Sequence, residues 1–186
     1  MPGSKDLLTT TSFHMEVSTV TVLETAKKMI DYSHGNLHDI NHFMKVYAYA
    51  KMIADGEQLD PDTQKLVEMT ALVHDIACPL CRVKYGNTNG KNQEKESAAL
   101  IAEFFKDSNL PQDFTDRISF LVSHHHTLDQ IDGIDYQIII EADYLVNADE
   151  SHFSGHNIKN MYDKIFKTET GKFLLRSMYQ NCLENE

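Results

Sequence analysis

Residues 72–80, Leu-Val-His-Asp-Ile-Ala-Cys-Pro-Leu, set His74 and Asp75 side by side inside an apolar run. An imidazole and a carboxylate are costly to bury there unless each meets a partner. Two further groups share this predicament: His42 and Asp143 also lie on or beside apolar faces of separate predicted helices. Taken singly, an inward histidine is more often a hydrogen-bonded core residue than a ligand. Their conjunction argues otherwise, because two buried carboxylates need positive charge and no Lys or Arg adjoins Asp75 or Asp143 on these helices. A divalent cation is the simplest partner. Held by two histidines and two aspartates, it keeps open positions for water and for a substrate oxygen and lowers the pKa of that water. No P-loop, G-x-S-x-G or GxGxxG pattern offers another chemistry.

The elements that must position these groups read as helices. The spacing predicts a first helix over 13–32, closed by the turn chemistry of Gly35 and Asn36, and a second over 39–54 with Phe43, Val46, Ala50 and Ile53 on one face. Asp60 is placed to cap a third, with Pro61 at its first position. Its stripe runs Val67, Thr70, Ala71, His74, so His74 points inward. A stretch of about 15 residues after Leu80 has no clear period and reads as a long loop, a length that often carries function. Apolar spacing then resumes at Ala98–Phe105, at Phe114–His125, at 134–148 and in two closing helices. The segment Tyr136–Ile140 is β-branched enough to compete as a strand. The expected fold is an all-α, single-domain helical bundle at 13–186 behind a polar tail at 1–12, with the chemistry within about residues 20–150 and closing helices at 156–182.

Composition narrows the partners. With 17 Lys+Arg against 28 Asp+Glu and no clustered basic run, the chain lacks the footprint that nucleic-acid polymers or anionic lipid require. A small anionic substrate is still compatible, because one metal ion outweighs a negative surface locally. No signal-peptide pattern and no run of about 18 apolar residues occurs, so a cytoplasmic protein is expected. Cys78, Cys81 and Cys182 are too few for a disulfide framework or a four-cysteine metal site, and Cys78-x-x-Cys81 follows no strand as a redox pair would; buried, inert thiols are the simplest reading. Apolar stripes on the last helices fit either a core or a homodimer.

In His42-Phe43-Met44-Lys45-Val46, in His74-Asp75 after an apolar run, and in Asp143 of an Ala-Asp dipeptide, the chain resembles the HD-domain metal-dependent phosphohydrolases. Their first element is H-x-x-R-V, so Lys45 stands where that family usually has arginine. The resemblance spans about residues 20–150 and implies an all-α fold with His42, His74, Asp75 and Asp143 as metal ligands. His38-Asp39 is a second H-D pair, but it opens a helix. Asp39 reads there as a cap or first-turn charge and His38, one turn from His42, as a residue beside the site.

Dinuclear members of the family add histidines between the H-D pair and the late aspartate. The run Ser123-His-His-His-Thr127 matches that place and implies His125 and His126 as further ligands, with Asp75 bridging two ions. Another ligand expected after the long loop is absent; Glu94 or Glu96 stands there, either as a replacement carboxylate or as ordinary negative charge at a helix start. The glutamate that mononuclear members carry three residues after the H-D pair is Cys78 here. Within the resemblance, His74 and Asp75 serve catalysis through one or two ions of Mn, Fe, Ni, Co, Mg or Zn. Arg82, Lys84 and Lys91, with Gly86 and Gly90, belong to a loop able to close over phosphate oxygens. The implied substrate is a small phosphate ester such as a nucleotide, and the run from His124 to Ala148 is similar to proteins that hydrolyse symmetrical dinucleoside polyphosphates. Two alternatives share the fold: a di-iron oxygenase, and a sensor that binds nucleotide through its metal without turnover.

Overall fold

The computed structural model describes residues 19–183. Thr21 opens α1 (Val22–Tyr32) with a capping box: its side chain accepts from the Glu24 amide while the Glu24 carboxylate accepts from the Thr21 amide. This cap starts the helix well after residue 13, and the expected segment 13–18 lies outside the described residues, as does the tail at 1–12. Gly35, with φ of 78°, makes the turn that follows, and Asn36 caps α2 (Leu37–Gly56). Asp39 therefore falls in the first turn of α2 and is not its cap. Asp60 caps α3 (Pro61–Val73) through the amides of Asp62 and Thr63.

The long loop expected after Leu80 is largely helical. Pro79 sits in the first turn of α4 (Cys78–Tyr85), Gly86 closes that helix in the left-handed region with φ of 71°, and Asn89 caps α5 (Gly90–Phe105). Only residues 86–89 connect the two. The helical period was hidden because α4 has barely two turns and the first turns of α5 are polar. Arg82 and Lys84 are thus helical, and Lys91 lies in the first turn of α5.

The remaining elements are α6 (Gln112–Val122), α7 (Ile134–Glu150), α8 (Gly155–Lys164), α9 (Glu169–Met178) and the short α10 (Gln180–Leu183). No strand occurs among the described residues, so the Tyr136–Ile140 segment is helix, within α7. That helix is buried on nearly every face, which explains why its sequence lacks an amphipathic pattern. It packs against α2 and α3, which also pack on one another, and these three carry two apolar clusters. One joins Val46, Ile53, Val67, Ile138 and Leu145 to Phe166 and Leu175; the other joins Phe43, Leu72 and Tyr136 to Met29, Ile101, Phe105 and Leu121. Because both clusters draw on these three helices, the described helices pack as a single all-α bundle. No described helix is long and apolar enough to cross a membrane.

Candidate metal centre

Four chain segments converge beside this core. His42 lies in the second turn of α2, His74 and Asp75 follow the end of α3, His125 and His126 follow α6, and Asp143 sits midway along α7. The Nε2 atoms of His42 and His74 are 3.2 Å apart. Asp143 Oδ1 is 3.3 Å from the first and 3.4 Å from the second, and Asp75 Oδ2 is 3.5 and 3.8 Å from them. Ligand atoms about 2.1 Å from one ion stand about 3.0–3.4 Å from each other. Ligand atoms of His42, His74 and Asp75 thus lie within one 4.8 Å span, as a single divalent ion requires, and Asp143 Oδ1 stands beside both imidazoles.

The imidazoles of His42, His74 and His125 are each oriented by the other nitrogen. His74 Nδ1 is 2.8 Å from the Ala71 carbonyl, and His125 Nδ1 is 2.8 Å from that of Val122. A ring nitrogen facing a carbonyl carries the proton, so Nε2 presents its lone pair to the site. For His42 the partner is a carboxylate, Glu150 Oε2 at 2.9 Å, whose other oxygen accepts from Lys45 Nζ at 2.9 Å. Such carboxylate–histidine pairs raise ligand basicity and fix ring orientation. Lys45, at the position where arginine was expected, acts through Glu150. Glu150 itself escaped the sequence reading; a carboxylate 108 residues from its histidine leaves no local pattern. Asn147, whose Nδ2 donates to Asp143 Oδ1 at 2.8 Å, escaped it too, although its i+4 spacing on a helix was legible.

A second group extends from Asp75. Its Oδ1 is 3.6 Å from His125 Nε2, and one ligand atom from each of Asp75, His125 and His126 lies within a 4.8 Å span. His125 Nε2 is buried and makes no hydrogen bond. An orphaned buried nitrogen facing a carboxylate at that separation is what a shared cation would satisfy. The donor set thus fits one ion, and offers Asp75 as a bridge to another.

The field of the site is strongly negative. Burial alone disfavours a charged His42, yet Asp143, Asp75 and Glu150 overcome it and raise its pKa to about 9. His125 also moves up against its burial, through Asp75 and Asp143. Desolvation opposes ionisation of Asp75 and Asp143, but the surrounding histidines hold both well below the usual carboxylate range. His126, at the solvent edge, is pushed down to about 4 by desolvation of its ring and by neighbouring His125, so it stays neutral and able to ligate. Burial pushes the Cys78 thiol far up, and its Sγ contacts Gln93 Oε1 at 3.3 Å. Cys78 and Cys81 are both buried and unbridged, as inert thiols should be.

The histidine turn after α6 is pinned from both sides. Tyr136 Oη donates toward the carbonyls of His124 and Thr127 at 2.5 and 2.6 Å. Arg117 ties Asp132 and Asp135 at 2.7–3.0 Å, closing the loop that follows. Gly90 supplies the room: a Cβ there would come within 2.7 Å of the His126 ring.

Of the residues expected to meet phosphate, Arg82 pairs through both terminal nitrogens with Asp39 at 2.6 and 2.5 Å, and both line a cavity of about 250 Å³ over the metal cluster, with His38 at its rim. It is the only Lys or Arg among the described residues lining that cavity. Lys84 pairs with Glu96 at 2.8 Å, Tyr85 donates to the same oxygen, and Lys91 is exposed away from the cavity lining. Glu94 lies outside both ligand groups; its Oε1 accepts from Thr127 Oγ1 at 3.0 Å.

No curated protein is significantly similar in sequence. Two crystal structures share the fold: a predicted HD superfamily hydrolase from an uncultured Thermotogales bacterium and the selenomethionine form of Bacillus subtilis YpgQ. The first is 20% identical with a TM-score of 0.60, over 88% of this chain and 86% of that one. The second is 19% identical with a TM-score of 0.57, over 89% and 92%. Residues 39–149, more than half of the chain and a span that holds every group of the cluster, match the HD domain, and the chain belongs to that family.

Proposed function

We propose that this chain is a metal-dependent phosphohydrolase acting on a small phosphate ester. The observation that carries this reading is that the paired imidazoles of His42 and His74, 3.2 Å apart, each stand 3.3–3.8 Å from a carboxylate oxygen of Asp75 and of Asp143, beside a polar cavity. Those four residues would hold the ion, and the orphaned His125 Nε2 and the free edge of His126 favour a second one sharing Asp75. A divalent ion bound there supplies a Lewis acid and a water of lowered pKa. Glu150 and the two backbone carbonyls keep the imidazoles in the ligating tautomer. Arg82 is the chain's own cation for a phosphoryl oxygen; held by Asp39, it meets an anion by turning one N–H without leaving its partner. Burial holds the Cys78 thiol protonated, in keeping with water as the nucleophile. The likeness to the Thermotogales protein, itself a predicted hydrolase, agrees with this reading.

The test is elemental analysis of protein purified without chelator, followed by a panel of phosphate esters with Mn²⁺, Co²⁺ or Ni²⁺. One or two ions per chain, with phosphate release lost in Asp75→Ala while helical content is kept, is the expected result. Full metal content in Asp75→Ala would place the site elsewhere, and two irons without phosphate release would favour an oxygenase.

A further inference from the structure

Small-molecule sites are lined mostly by apolar side chains. The cavity over the metal cluster is not: histidines aside, no aromatic and no aliphatic side chain is among its described lining residues. Beyond the ligand groups its wall includes Asp39, Arg82, Thr88, Gln93, Asn147 and Ser151, every one polar. Some of these are committed to one another. Arg82 is held by Asp39 through both terminal nitrogens, and Gln93 donates its amide to the Thr88 carbonyl while its oxygen accepts from the Cys78 thiol. Three groups are uncommitted: the hydroxyls of Thr88 and Ser151 and the carboxamide oxygen of Asn147 bond to no other described residue. Asn147 Nδ2, by donating to Asp143 Oδ1 at 2.8 Å, fixes that carboxamide.

The charge of the wall is equally one-sided. Asp39, Asp75, Asp143 and Glu150 line the cavity against a single Lys or Arg among the described residues, Arg82, whose charge Asp39 already balances. Lys84 is tied to Glu96, and Lys91 lies outside the lining. Bound ions and Arg82 can therefore neutralise one phosphoryl group, whereas further phosphates would meet carboxylates.

We propose that the phosphate is carried by a short polyhydroxylated carbon skeleton, a sugar or polyol monophosphate, held through its hydroxyls by Thr88, Ser151 and Asn147. The inference rests on the phosphohydrolase reading and departs from the nucleotide that the sequence resemblance implies. A hydroxyl leaves water without loss only where a hydrogen-bond partner replaces it, and this wall supplies three. A heterocyclic base gains affinity chiefly by stacking on aromatic or aliphatic surface, and apart from imidazoles the wall supplies none. Size agrees, since about 250 Å³ is below the roughly 300–1,000 Å³ of a site for a whole drug-sized ligand, the measure of a phosphate with a few carbons. Thr88 lies in the link between α4 and α5 and Ser151 at the end of α7, so selectivity for the ester resides in part outside the metal ligands.

The experiment pairs each polyol ester with its deoxygenated counterpart: glycerol 3-phosphate with propyl phosphate, and ribose 5-phosphate with pentyl phosphate. Adenosine 5′-phosphate, which adds a base to the second, is a further arm. Mn²⁺-loaded protein is titrated by calorimetry, and kcat/KM replaces Kd for any ester that turns over. One such hydrogen bond is worth about two- to tenfold, so ribose 5-phosphate should bind about tenfold or more tightly than pentyl phosphate. The base of adenosine 5′-phosphate should add no more than about twofold, well under the gain from a base stacked on an aromatic ring. Thr88→Val and Ser151→Ala should each narrow the gap by about two- to tenfold, with metal content and the Kd of inorganic phosphate unchanged. Equal affinity within each pair, a gap kept in both variants, or adenosine 5′-phosphate bound about tenfold more tightly than ribose 5-phosphate overturns the assignment. Phosphate release without a gap leaves the phosphohydrolase reading standing and refutes the polyol subsite. A gap without phosphate release from any ester does the reverse.

Discussion

Replacing Glu150 with alanine tests how the metal centre is built. Glu150 touches no ligand atom of the cluster; it acts on His42 Nδ1 from 2.9 Å. Without it, the His42 ring, 6% exposed and 3.2 Å from His74 Nε2, loses the acceptor that keeps its proton on Nδ1. The proton can then sit on Nε2, where it occupies the lone pair an ion needs, and the ring can rotate. Outer partners of this kind are worth about 10–100-fold in metal affinity, or about 1.4–2.7 kcal/mol. Glu150→Gln keeps a carbonyl oxygen for the same proton and should remain within about threefold of wild type. Lys45, half exposed, holds the far oxygen of Glu150, so Lys45→Ala should cost no more than the about 0–1 kcal/mol of a surface pair. Competition of Mn²⁺ or Zn²⁺ against a chromophoric chelator measures all three, with melting temperature as the control for folding. Glu150→Ala within twofold of wild type, or Lys45→Ala costing more than Glu150→Ala, would refute the orienting role.

Gly90→Ala should leave melting nearly unchanged, since alanine suits a first helical turn, but should displace the His126 ring and lower occupancy by a second ion; metal titration with unaltered stoichiometry and affinity would count against the packing argument. Glu141, buried on α7, accepts from the amides of Lys167 and Thr168, from Gln137 and from the Thr168 hydroxyl. Glu141→Ala should therefore cost about 2–4 kcal/mol in denaturant melts, and Glu141→Gln much less; equal losses would mean that the carboxamide cannot replace those acceptors. Burial pushes the Tyr136 phenol up to about 12, against about 10 in an unfolded chain. The folded state thus holds its proton more tightly. This contribution is complete below pH 10 and is lost as pH rises toward 12, so melting temperature should fall across that window and fall less in Tyr136→Phe. Parallel curves for the two proteins would assign the loss to other groups.

Much of this architecture was legible from local pattern. Caps such as Asp60 with Pro61, and stripes such as Val67, Thr70, Ala71 and His74, act within a few residues, so helix placement and the inward aim of His74 followed from spacing alone. The same spacing put unpartnered polar groups on apolar faces, and burial cost alone then asked for a cation. Where an element was short or buried all round, the pattern failed: α4 read as loop, and the start of α7 competed as strand. What only tertiary structure decided is which groups meet. Glu150 reaches His42 across 108 residues, Arg82 is tied to Asp39 across 43, and the polar cavity over the cluster is assembled from α2, α4, α5 and α7. A residue's type and its neighbours along the chain set what it prefers to contact. The crossing of helices sets what it does contact, and at this site the contacts run between helices.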